Sequence, residues 1–184
     1  MINVIETLLD YIKNSSTDDT PPRPHIGETM GCWLYFTALA EEIPALETCL
    51  NTTTNSELLK LAQDSKNLAE SQIDTLKKLM IKEGIPLPEI PATKPKSDPN
   101  SIPLGAKATD SEIANLISVK IASNIVMCST NMGQSIRTDI GLMWLKFHTE
   151  KIILGSKVKI LMQQKGWLKI PPYYYPPGAP HNSN

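Results

Sequence analysis

IPLPEIPATKPKSDPNSIPLGAKA, residues 85–108, decides the fold of this chain. It holds prolines at 86, 88, 91, 95, 99 and 103 and shows no apolar periodicity. Proline has no backbone donor and clashes with the carbonyl four residues back, so no helix crosses this stretch. A flexible tether between separate domains would be rich in Gly and Ser, and this stretch has a single glycine, Gly105. Length supplies its purpose. The helix predicted before it, over 54–83, is about 45 Å long at 1.5 Å per residue. A polyproline-like segment advances about 3.1 Å per residue, enough to travel that whole length. The stretch therefore reads as a crossover, and the helices on either side of it run parallel.

The other prolines sort the same way. Blocks at 21–24 and 171–180 bound the helical region, and Pro44 alone falls inside it. A short amphipathic helix is expected over 2–13, through Val4, Ile5, Leu8, Leu9 and Ile12. The next helix spans 25–50, with Cys32, Phe36, Leu39, Ile43, Leu46 and Leu50 at three- and four-residue spacing. Pro44 should kink it and free the carbonyl of Ala40. Thr54 and Glu57 form a capping-box pair for the helix over 54–83, and Gly84 stops it. Thr109 and Glu112 repeat the capping box for a helix over 109–131, along Ile113, Ile117, Ile121, Ile125 and Cys128. A break at Asn131 to Gly133 leads to the last helix, 134–165, along Ile140, Trp144, Phe147, Leu154, Val158 and Leu161, which ends at Gly166. A tail follows over 167–184.

The expectation is a single all-α domain over 1–184. It is a four-helix bundle of two antiparallel hairpins joined by one long crossover, with an extra N-terminal helix and a Pro/Tyr-rich C-terminal arm. That connectivity is the ferritin-like one. Composition agrees. With 2 Phe and 3 Trp, the core falls to Ile, Leu, Met and Ala. Net charge is −1, with no basic stripe for nucleic acid. No apolar run of about 18–20 residues that would span a bilayer stands out. The start lacks a positive n-region and already carries Glu6, so it does not read as a signal peptide, and synthesis in the cytoplasm is expected. Cys32, Cys49 and Cys128 fall in apolar helical patterns and read as buried free thiols.

An internal echo at an offset of 82 relates the halves. Leu79-Met80-x-x-x-Gly84 matches Leu161-Met162-x-x-x-Gly166. The same offset pairs Glu42 with Asn124 and Lys66 with His148, which suggests a mid-bundle polar cluster of these four, with a lysine where a metal would otherwise sit.

A ferritin-type di-metal site needs Glu-x-x-His on two helices. No glutamate here has histidine three residues on. The weak metal-ligand candidates are therefore His25 with Glu28, three apart on one helix face, Glu42, His148 and Glu150. For each a plainer role competes: Glu28 at a helix N-terminus complements the dipole, and His148 reads as a satisfied core histidine. No nucleophile can be assigned, since nothing orients Cys128 toward His148, and no glycine-rich phosphate loop or zinc spacing appears. The expected cofactor is none, a metal ion being the alternative. The tail carries Pro171-Pro172-Tyr173-Tyr174, which fits the Pro-Pro-x-Tyr form of WW-domain ligands. It also suits a polyproline arm that lays Tyr rings on the bundle or on a second subunit.

Several stretches carry a resemblance: His25-Ile26-Gly27-Glu28, Gly84-Ile85-Pro86-Leu87-Pro88, Ile102-Pro103-Leu104-Gly105-Ala106, Lys146-Phe147-His148-x-Glu150-Lys151 and Lys165-Gly166-Trp167-Leu168, with the Pro/Tyr tail. From about residue 22 to 178 the chain resembles an uncharacterised family of spore-forming bacteria, a domain of unknown function, and is similar to the spore coat protein F group. The resemblance implies a ferritin-like helical fold and a link to sporulation. It supplies no catalytic residues. The expected function is a non-enzymatic structural or interaction protein, coat-associated, with a second copy or coat proteins as partners. The alternative is a metal-binding or oxidase-like protein with an atypical site. A third reading, a small-molecule binder, places a pocket around Ala40.

Overall fold

The computed structural model describes residues 21–178. The helix expected over 2–13 and the end of the tail, with His181, lie outside the described residues. Among the described residues there are four long helices and no strand: α1 (Ile26–Thr52), α2 (Ser56–Glu83), α3 (Asp110–Gln134) and α4 (Thr138–Gln164). A single 3₁₀ turn, Pro99–Ser101, sits in the crossover.

The helix ends are set by local chemistry. His25 caps α1: its Nδ1 accepts from the Gly27 amide at 3.0 Å, and Glu28 accepts from the His25 amide at 3.0 Å. At α2 the cap is Asn55 rather than Thr54. Its Oδ1 accepts from both Glu57 and Leu58 amides at 3.1 Å. Asparagine reaches two first-turn donors at once, while Thr53 Oγ1 takes the Asn55 amide at 3.1 Å. The capping box of Thr109 and Glu112 opens α3 as expected. Gly84 and Gly166 end α2 and α4 with φ of 72° and 70°, where a side chain would be strained.

The break expected at Asn131 to Gly133 falls later. α3 continues through Gly133, because one glycine weakens a helix by only about 1 kcal/mol without stopping it. α4 starts at Thr138, and its N-cap residue Arg137 has no side-chain cap of its own.

Four contacts fix the topology. Thr53 at the end of α1 donates to Asp110 at the start of α3 at 2.5 Å. His25 at the start of α1 meets the Gln134 carbonyl at the end of α3 at 3.1 Å. These helices are antiparallel. α2 and α4 are likewise antiparallel, through Lys165 with Glu57 and through Arg137 with Glu83 at 2.9 Å. With α1 and α2 joined by a tight turn, α2 and α3 must run parallel, as the crossover requires.

The crossover is held by α1. Glu47 accepts from the Lys94 amide at 2.6 Å. Asn51 donates to the Pro95 carbonyl at 2.8 Å and accepts from the Ser97 amide at 3.1 Å. Its carboxamide pairs with the crossover backbone as a neighbouring strand would. Asn51→Ala should cost about 1–2 kcal/mol, two net hydrogen bonds, and speed proteolysis between residues 91 and 98. A chemical-denaturation curve and limited trypsin digestion at Lys96 check both.

Two apolar clusters fill the bundle. One is built on Tyr35, Phe36, Trp144 and Phe147. Trp144 stands edge-on to both Tyr35 and Phe147, at centroid distances of 5.3 and 5.9 Å. The other is aliphatic: Leu46, Leu58, Ile113, Ile117, Ile121, Leu154, Val158 and Leu161. Trp167 and Leu168 close its end. Beyond them Tyr173 and Tyr174 are 76% and 82% exposed, so these two rings do not lie on the bundle. A further difference concerns α3. Where the sequence reading expected no bilayer-spanning apolar run, α3 is, by length and composition alone, long and apolar enough to cross a membrane. Val119 and Val126 face outward from it, while Ile113, Ile117 and Ile121 face in.

Candidate functional site

Between the two apolar clusters lies a thin polar layer. Glu42 comes from α1, Asn124 from α3 and Lys151 from α4, and all three side chains are buried. Asn124 Nδ2 donates to Glu42 Oε2 at 2.8 Å. Lys151 Nζ lies 3.9 Å from Glu42 Oε1 and makes no hydrogen bond among the described residues. Its side chain is 0% exposed. Burial pushes its amine below the usual lysine range, and the attraction of Glu42 opposes that push.

A second chain of bonds runs beside the first. Tyr35 Oη donates to Gln72 Oε1 at 3.0 Å, and Gln72 Nε2 donates to Glu150 Oε2 at 3.0 Å. Glu150 then leads outward to Lys146 at 3.9 Å. Burial raises the Tyr35 phenol well above its ordinary value. Burial likewise pushes the Cys128 thiol up to about 11 and the Cys32 thiol up to about 12, so neither is a thiolate at neutral pH.

The structure unites half of the expected cluster. Glu42 and Asn124 meet, 82 positions apart, as the offset pairs them. Lys66 and His148 do not join them. Lys66 faces outward to Glu47 at 3.2 Å and Glu70 at 3.3 Å, because its place on α2 suits a snorkelling amine. His148 sits half-buried on the flank of α4, without a hydrogen bond among the described residues. Lys151, one turn further on, holds the inward place. The signal for it was present in the sequence: Trp144, Lys151 and Val158 recur every seven residues, so Lys151 occupies an apolar row.

The remaining candidates are committed to structure. Besides the His25 amide, Glu28 accepts from the amides of Ile136 and Arg137 at 2.9 and 2.8 Å. It thereby serves two helix starts, α1 and α4. Beside it, the buried Arg137 guanidinium meets Glu83 at 2.9 Å, Asp139 at 2.6 Å and the Pro22 carbonyl at 3.1 Å. Among the described residues, no group of three His, Cys, Asp or Glu side chains is placed to hold a metal ion. Ala40, around which a pocket was expected, is itself buried in the aromatic cluster. A cleft of about 500 Å³ lies past Pro44 instead, between Ala45, Thr48 and Thr52 of α1 and Ile113 and Leu116 of α3. No activated nucleophile faces it.

A helical bundle whose midplane is closed by its own buried ammonium–carboxylate pair is the class that fold and site define. The chain belongs to the DUF3231 family, described as a protein of unknown function, whose model matches residues 25–179. It is 34% identical over 150 residues to the uncharacterised protein YvdQ of Bacillus subtilis strain 168, covering 82% of this chain and 88% of that one. Its structure is similar to that of a candidate spore coat protein from Bacillus halodurans C-125, with TM-score 0.82 and 32% identity, over 84% of this chain and 98% of the other. A DUF305 fragment from Deinococcus radiodurans has TM-score 0.63 at 12% identity, over 78% of this chain and 99% of that one, a likeness of fold alone. The resemblance carried by the sequence motifs thus leads to the right family.

Proposed function

We propose that this chain is a non-enzymatic structural or interaction protein of the spore, made in the cytoplasm and carried into the coat, and that its bundle is a ferritin-like one in which Lys151 replaces the metal layer. The likeness to the candidate coat protein from Bacillus halodurans carries the reading. Two features support it. The mid-bundle carboxylate that could serve a metal is occupied by Asn124 and an internal ammonium. The exposed Pro/Tyr arm, with Tyr173 and Tyr174 outward, offers a surface to coat proteins or a second copy. No cofactor is needed in this reading.

Expressing a fluorescent fusion from the native promoter in a sporulating host tests it. The signal should ring the forespore, and the protein should leave spores only with the coat fraction under detergent and reductant. A signal that stays in the mother-cell cytoplasm, or stoichiometric iron, zinc or manganese in protein purified without a metal-affinity tag, would overturn it.

A further inference from the structure

The start of α1 carries an uncovered apolar groove. Ile26, Met30 and Trp33 line it from α1, and Ile85 and Pro86 from the chain leaving α2. Ile26 is 85% exposed, Met30 53% and Trp33 37%. Single exposed apolar residues are ordinary, but a contiguous set around a tryptophan marks a place where something sits.

The described chain begins at this end of the bundle. Arg137 holds the Pro22 carbonyl at 3.1 Å, and α1 starts four residues after Pro22, at Ile26. Twenty residues precede Pro21 in the sequence, and the described chain starts at the end of the bundle where the groove lies. Those twenty residues include Val4, Ile5, Leu8, Leu9 and Ile12 at helical spacing, with Glu6, Thr7 and Asp10 between them. The residues from Asn14 to Thr20 are polar and long enough, at up to about 3.3 Å each, to let the apolar stripe fold back over Ile26.

We infer that the groove of Ile26, Met30, Trp33, Ile85 and Pro86 is the docking site of the chain's own N-terminal segment, residues 2–13, which lays the stripe of Val4, Ile5, Leu8, Leu9 and Ile12 into it. The stripe is apolar, the groove is apolar, and the connection is short, so the docking is intramolecular at a high effective concentration. The segment lies outside the stretch that matches the family, residues 25–179.

Full-length protein carrying the photocrosslinker p-benzoylphenylalanine in place of Met30 tests this. Met30 is half-exposed, so the bundle tolerates the change. Irradiation followed by peptide mass spectrometry should give products of monomer mass joining position 30 to residues 1–13. In the double variant Leu8→Asp, Leu9→Asp the yield should fall at least about tenfold, given what burying two leucines contributes. Products of dimer mass would assign the groove to a second copy and overturn the inference. Absence of any link to residues 1–13, or a yield unchanged in the double variant, would overturn it as well.

Discussion

Lys151→Ala should lower stability by about 3–5 kcal/mol, because it strands the Glu42 carboxylate in the core with only Asn124 beside it. For a chain of this length that is a fall in Tm of roughly 10 °C. The double variant Glu42→Gln, Lys151→Met removes both charges and should come out neutral or more stable than the parent. A thermal-melt cycle over the two single variants and the double measures the coupling. Additive losses, with the double variant losing the sum of the two singles, would show that the two residues contribute independently, through packing alone. The pH dependence adds a second readout. The Lys151 amine titrates lower when folded than its ordinary 10.5. The unfolded chain therefore binds the extra proton between those two values, and stability rises with pH across that window. Below it, the full cost of burying the ammonium is present. Lys151→Met should lack this rising limb, so the difference in stability between variant and parent should change between neutral pH and about pH 10.

Glu28→Ala is the second large effect. Its two carboxylate oxygens serve the amides of His25, Ile136 and Arg137, at 3.0, 2.9 and 2.8 Å. Alanine leaves three donors without partners at a buried corner, which should cost about 3–5 kcal/mol in all. Glu28→Gln keeps one acceptor oxygen and should lose less. Amide hydrogen exchange locates the damage: Ile136 and Arg137 should exchange on the order of tenfold faster or more, while amides in the middle of α2 follow only the global loss. Uniform acceleration across the molecule would place the role of Glu28 elsewhere.

These two residues show where sequence reasoning reaches and where it stops. The prolines gave the crossover, and the crossover gave the parallel placement of α2 and α3, because backbone chemistry at each proline is local. The glycines at 84 and 166 and the capping box at Thr109 were legible for the same reason. Glu28 was legible as a helix-start residue, since its partner amide at His25 is three residues away. Its service to Ile136 and Arg137, more than a hundred positions on, depends on how two hairpins meet, and nothing in local spacing encodes that. Within the charge layer, the offset of 82 found Glu42 with Asn124, because each half of the bundle presents that position inward. It chose Lys66 and His148 wrongly. A half-turn of rotation separates an inward lysine from a snorkelling one, and the offset carries no information on rotation. The seven-residue row of Trp144, Lys151 and Val158 does carry it.

The way the crossover is fastened has a consequence for how the molecule is made. Its side-chain anchors, Glu47 and Asn51, both belong to α1. Its own internal ties, Asp98 to the Asn100 amide and Lys107 to the Pro99 carbonyl, are local. The first hairpin and its belt therefore need no residue of α3 and can form while α3 is still within the ribosome. Thr53 then waits at the point where Asp110 must arrive. The crossover thereby brings the start of α3 to the end of the bundle where α1 finishes and α2 begins, which favours the parallel arrangement of α2 and α3.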